Sequence, residues 1–180
     1  HSIFQFLISG VDRLILNHLS SDVDLSQYSF IYCVASMLLL FNAAFSMVFP
    51  EYIIKDYDAW VSKDKRKKLI KAANYVAFFL VILTVLICYF MFNMSAYRHF
   101  QSNHWFLSVL MISVGFLFLF RYYLYENVLS YLRETKKIAA VTIGCGIMNI
   151  PITYALVGGF GILGAAYSSL FIYYFYTLFI

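Results

Sequence analysis

From Ile138 to Ile180 the chain carries no Asp, Glu, Lys or Arg, and Gly158-Gly159-Phe160-Gly161 breaks that run near its middle. As one straight helix the run would be ~65 Å long, about twice the hydrocarbon thickness of a bilayer. It therefore reads as two membrane spans joined by a tight glycine turn. A soluble fold cannot cover two successive helices that are apolar all round with so little other chain. Composition agrees. Of 180 residues, 63% are hydrophobic and only 12% charged, outside the range of ordinary soluble domains.

Six spans can be drawn, at about 3–19, 28–50, 72–94, 105–128, 138–157 and 161–180, with a basic connection at 55–71. Each approaches the roughly 20 residues that cross hydrocarbon as a helix. Membrane strands are excluded, because their sequences alternate whereas these runs are continuously apolar. The expected fold is an all-α integral membrane protein, a six-transmembrane-helix bundle forming one unit over residues 1–180. The opening lacks a basic leader and a small-residue cleavage site, so no cleavable signal peptide is expected. Its first residue, His1, suits a fragment of something longer.

Orientation follows from the cations between spans. Lys55, Lys63, Lys65, Arg66, Lys67, Lys68 and Lys71 lie between the second and third, and Arg133, Lys136 and Lys137 between the fourth and fifth. The three other connections hold only Arg98. This bias is expected to place both ends in the cytoplasm. The segment Trp60–Lys71 invites a nucleic-acid reading, but no folded basic domain accompanies it. A cluster that sets topology and holds anionic headgroups of membrane lipids explains it better. Ser62 suits a helix cap there, with Asp64 in the first turn. On the outer side, Asp22 and Asp24 read as a turn and helix start, with Ser26 an available cap. Tyr28, Tyr57, Tyr97, Trp105 and Tyr131 fall near span boundaries, as interfacial aromatic belts do.

Charges inside spans are costly and face a bundle interior or a wet cavity. Asp12 and Arg13 lie ~10 Å deep in the first span. Adjacent helical positions point ~100° apart, so each needs its own partner on another helix, or water. Arg121 and Glu126 lie in the later half of the fourth span. Arg121 also has a snorkelling alternative and Glu126 an interfacial one. An arginine in a wet cavity suits phosphate oxygens, which its planar fork binds two at a time. Metal and catalytic signals are weak. His99 and His104 have no carboxylate or thiol beside them, and zinc-binding, phosphate-loop and nucleophile-elbow patterns are absent. Cys33, Cys88 and Cys145 read as small apolar residues. Asn149-Ile150-Pro151 is expected to kink the fifth span, while Gly144, Gly146, Gly161, Gly164, Ala165 and Ala166 offer small faces for close packing.

Several segments resemble a known family. Asp12-Arg13-Leu14-Ile15-Leu16 leading into Tyr28-Ser29 resembles the start of the seventh helix in bacterial polysaccharide (O-antigen) flippases. Phe49-Pro50-Glu51-Tyr52, Tyr131-Leu132-Arg133-Glu134-Thr135-Lys136-Lys137, and Asn149-Ile150 followed by Gly159-Phe160-Gly161-Ile162-Leu163-Gly164-Ala165-Ala166 are similar to later segments of the same proteins. The likeness runs in order over essentially the whole chain. It points to the multidrug/oligosaccharidyl-lipid/polysaccharide exporter superfamily, whose members have two six-helix lobes around a central cavity.

The resemblance implies that this chain is the second lobe and needs the missing N-terminal six-helix lobe as partner. It implies a transporter rather than an enzyme, with no cofactor, no metal and no nucleic acid. The implied activity is alternating-access flipping of a polyprenyl-pyrophosphate-linked glycan. Arg13 is carried over by its motif and Arg121 by position as cavity cations, while Asp12 or Glu126 could titrate with a coupling ion. Two kinds of rival reading stand beside it: a multidrug or cation antiporter of the same superfamily, and a membrane-embedded glycan-assembly enzyme or scaffold.

Overall fold

A computed structural model describes residues 10–55, 63–93 and 104–179. Among these residues seven helices follow one another: α1 Val11–Leu19, α2 Asp22–Ala35, α3 Met37–Lys55, α4 Lys63–Asn93, α5 Trp105–Tyr131, α6 Thr135–Phe160 and α7 Ile162–Leu178. There is no strand among the described residues. Four stretches of the described residues are long and apolar enough to cross a membrane: Asp22–Val48, Asn74–Asn93, Trp105–Tyr131 and Thr135–Phe160. They correspond to the second to fifth expected spans. The sixth is the shorter apolar helix α7. The first is described only from Val11 onward, as α1.

The bundle is organised around α5, which packs on α2, α3, α4, α6 and α7. Of its apolar window 56% is buried inside the bundle, against 28–33% for the three other long stretches. Their outer faces carry exposed Leu40, Met47, Phe79 and Phe90, as expected of surfaces that meet acyl chains rather than water. Polar side chains tie neighbouring helices to α5. Asn42 Nδ2 donates to the Phe116 carbonyl at 3.2 Å, and the Thr177 hydroxyl donates to the Phe118 carbonyl at 2.9 Å. Such bonds hold helices together where lipid offers no competing partner.

Helix ends differ from expectation in instructive ways. α2 starts at Asp22, ahead of the expected boundary, and its cap is Ser21 rather than Ser26. The Ser21 hydroxyl oxygen accepts from Asp24 N–H at 3.2 Å, while Ser26 donates to the Val23 carbonyl from within the helix. Between α2 and α3, Ser36 keeps helical dihedrals and tightens one turn, with Leu39 N–H donating to its carbonyl at 2.8 Å. The latter part of the basic connection is helical: α4 begins at Lys63, so 63–71 continues into the span rather than forming a loop. Ser62, its expected cap, lies outside the described residues, as do Tyr57, Trp60, Tyr97, Arg98 and His99.

The turn between α5 and α6 is a Schellman motif. Glu134 N–H donates to the Leu129 carbonyl and Arg133 N–H to that of Ser130, with Arg133 in the left-handed region at φ 60°. That conformation is usually given to glycine. Lys137 closes the turn with an ion pair to Glu134 at 2.7 Å. Beyond it, α6 passes through Pro151 without losing its helical assignment, and the Thr153 hydroxyl donates to Asn149 Oδ1 at 2.9 Å.

The glycine turn sits at Gly161 alone, with φ 56° and ψ −127°. Gly158 and Gly159 are helical and have open space where a Cβ would be. α7 folds back so closely that a Cβ on Gly164 would meet the Leu156 carbonyl oxygen at 2.0 Å. Ala165 and Ala166 are fully buried beside it, so this part of the small-residue face does pack closely. Gly144 does not, having nothing within 4 Å of its Cβ position. A further close approach joins α5 to α7, where a Cβ on Gly115 would lie 3.0 Å from the Tyr173 ring.

Candidate functional site

α1 is amphipathic, yet its inward face carries a carboxylate. Val11, Asp12 and Leu16 are buried, while Asn17 and His18 point outward. Asp12 is 2% exposed and is the one charged side chain buried among the described residues. α1 packs on α2, α6 and α7, and two of these supply its partners. The Tyr28 hydroxyl of α2 donates a very short bond to Asp12 Oδ2. Ser169 Oγ of α7 lies 3.3 Å from the same oxygen and 3.3 Å from the Tyr28 hydroxyl. The Ala165 carbonyl is also 3.2 Å from Ser169 Oγ, and a single hydroxyl proton serves only one acceptor at a time.

Asp12 Oδ1 receives the backbone N–H of Arg13 at 2.8 Å. That N–H belongs to the first turn of α1 and has no carbonyl partner within the helix, so a carboxylate there also meets the positive end of the helix dipole. Buried charge is tolerated only when hydrogen bonds replace water. Here three helices converge to provide them.

Arg13 engages the same helix, α2, one turn further on. Its guanidinium carbon sits 4.2 Å from the centroid of the Tyr32 ring, a cation–π geometry. The side chain is half-buried, and its Nε has no hydrogen-bond partner. Tyr32 is fixed in turn by an edge-on contact with Phe116, centroids 5.7 Å apart, and Phe116 packs against Tyr173 at 5.7 Å. The Asp-Arg dipeptide thus reads two positions, Tyr28 and Tyr32, on one face of α2. The ~100° between adjacent helical residues is what separates the two contacts.

The other candidates lie elsewhere. Arg121 is exposed, and its Nε donates to Asn74 Oδ1 at 3.4 Å. Both line a cleft of ≈ 420 Å³ between Lys71, Asn74, Tyr75 and Phe78 of α4 and Val114, Leu117, Phe118 and Arg121 of α5. Glu126 is half-buried on a second cleft of ≈ 340 Å³ between α5 and α6, with Ser130, Thr135, Ile138, Ala139, Thr142 and Ile143. Neither cleft includes Asp12 or Arg13. The four residues therefore occupy three places in the bundle. Beside Glu126, Asn127 Nδ2 donates to Ser46 Oγ at 3.4 Å and links α5 to α3.

Sequence reasoning missed the hydroxyl partners. Tyr28 stood near an expected boundary and was read as interfacial, but it is fully buried. Its signal was present in the i, i+4 pair Tyr28–Tyr32, which repeats the one-face spacing of a packed helix. Ser169 lies in an uncharged run where a lone hydroxyl reads as neutral. A second missed group joins Tyr122, Thr142 and Tyr176: the hydroxyls of Tyr122 and Thr142 are 3.4 Å apart and the two tyrosine rings 4.2 Å apart. No group of three His, Cys, Asp or Glu suited to a metal occurs among the described residues. Cys33 is exposed, and Cys88 and Cys145 are buried as free thiols.

No protein-family model, curated protein or solved structure matches this chain.

Proposed function

We propose that this chain is one helical lobe of a membrane transporter that flips a lipid-linked oligosaccharide across the cytoplasmic membrane, with Arg13 holding the pyrophosphate of the cargo. The observation that carries the reading is that the Asp12 and Arg13 side chains engage different partners. A buried carboxylate beside an arginine ordinarily neutralises it. Here Asp12 is satisfied by Tyr28, Ser169 and a backbone N–H. The guanidinium instead lies half-buried on the Tyr32 ring, with its Nε buried and without a protein acceptor. A cation–π contact leaves the in-plane N–H groups of arginine directed outward, the geometry that suits phosphate oxygens.

In this reading both ends of the chain are cytoplasmic, the partner lobe supplies the opposite wall of the cavity, and rocking of the lobes exposes Arg13 to either side in turn. The lipid tail of the cargo stays in the bilayer while its headgroup crosses. The test is Arg13→Gln in the natural full-length protein, in cells that depend on it for surface glycan. Glycan display is expected to fall while protein level holds, with Arg13→Lys intermediate because it keeps charge without the fork. Undiminished display in Arg13→Gln would sink the proposal.

One observation favours the antiporter reading. Asp12 is a deeply buried acid linked to two hydroxyls, an arrangement suited to exchanging a proton or small cation. That reading expects Asp12→Asn to abolish drug or cation efflux while Arg13→Gln leaves it intact. The flippase reading expects Arg13→Gln to be the more damaging of the two.

A further inference from the structure

The α4–α5 cleft has a polar end and an apolar end. Lys71, Asn74 and Phe78 fall at i, i+3 and i+7 on one face of α4; Val114, Leu117 and Arg121 repeat that spacing on α5. The contact of Arg121 with Asn74 fixes the register. The chain reverses between the two helices, so Lys71 and Arg121 share one end and Phe78 and Val114 the other. Lys71 is the last charged residue before the uncharged run Ala72–Tyr97. Arg121 lies ten residues before the end of its own apolar stretch, Trp105–Tyr131, ~15 Å along the axis, and meets the Lys71 end of the cleft through Asn74. The apolar end of the cleft points further into the hydrocarbon. The walls open to the surface of the bundle, where Tyr75 is 74% and Phe78 57% exposed.

We infer that this cleft binds an anionic phospholipid, its headgroup phosphate held by Lys71, Asn74 and Arg121 and the start of an acyl chain lying over Phe78, Val114 and Leu117. Charge sign and polarity gradient match a phospholipid. The volume of ≈ 420 Å³ lies within the range of small-ligand sites. Arg121 Nε donates to the Asn74 carbonyl oxygen, and the amide nitrogen of Asn74 is a further donor suited to a phosphate oxygen. The remaining guanidinium N–H groups supply the charged donors. Lys71 closes the basic run that starts at Lys63, so anionic lipid is concentrated beside the cleft before it binds. Basic clefts between spans on the cytoplasmic side are the recurrent form of such sites. This site is separate from Arg13 and does not depend on the transport reading.

The experiment is native mass spectrometry of the purified natural protein with phosphatidylglycerol or phosphatidylcholine, in wild type and in the Lys71→Gln/Arg121→Gln double variant. Retention of phosphatidylglycerol is expected to fall about 30-fold in the double variant, each cation at a membrane surface being worth roughly a factor of five. Phosphatidylcholine is expected to bind weakly and equally to both. Arg121→Lys, which keeps the charge and the fold, is expected to fall between them. Inorganic phosphate should not displace the lipid at equal concentration, because it cannot use the apolar end. Equal retention by wild type and double variant overturns the inference. So does equal preference for phosphatidylcholine, or stronger displacement by a polyprenyl pyrophosphate, which would make the cleft a cargo site.

Discussion

Arg13 and Arg121 are the two arginines within spans, and their surroundings could hardly differ more. Arg13 sits on a ring, beside a buried acid whose hydrogen bonds come from three helices. Arg121 is exposed on a cleft with one amide partner, on a helix that is otherwise the centre of the bundle. The difference teaches that charge within a membrane helix has two separate outlets. One builds charge into the interior and makes the fold depend on it. The other carries charge along the surface to where lipid phosphates lie. Only the first joins helices distant in sequence, through Asp12, Tyr28 and Ser169.

The sharpest way to break this contrast is Asp12→Ala. It takes the acceptor from the buried Tyr28 hydroxyl and from the Arg13 N–H, leaves Ser169 to the Ala165 carbonyl, and should cost about 3 kcal/mol of stability, read by denaturant titration in detergent micelles. Adding Tyr28→Phe to Asp12→Leu should restore part of that loss, because fewer polar groups then remain unpaired. No recovery would show that the network does more than satisfy itself. Tyr28→Phe alone removes one donor from a charged acceptor and should cost about 2 kcal/mol by the same titration. Arg13→Gln should lose about 1 kcal/mol, the worth of a partly buried cation–π contact. Arg121→Gln should change stability by no more than about 0.5 kcal/mol, as exposed substitutions do. If thermal melts rank Arg121 above Arg13, the two outlets have been assigned the wrong way round.

The sequence disclosed the broad plan because uncharged runs of span length leave a helix few alternatives in lipid. Its boundaries were less legible. Starting α2 at Asp22 instead of residue 28 moves Tyr28 from the interface into the bundle, and with it the chief partner of Asp12. The glycine turn was expected across Gly158–Gly161, yet only Gly161 has a positive φ. Glycine permits that conformation without requiring it. Glu126 and Arg121 are five positions apart, about 140° around a helix, and line different clefts. Which helix would face each of them depends on packing between distant segments, and periodicity in one segment does not encode it.

The backbone contact at Gly164 has a mechanical consequence. With the Leu156 carbonyl occupying the place of a methyl group, even alanine at position 164 would prise α6 from α7. Ser169 lies five residues further along α7, so such a wedge would also disturb the hydroxyl that reaches Asp12.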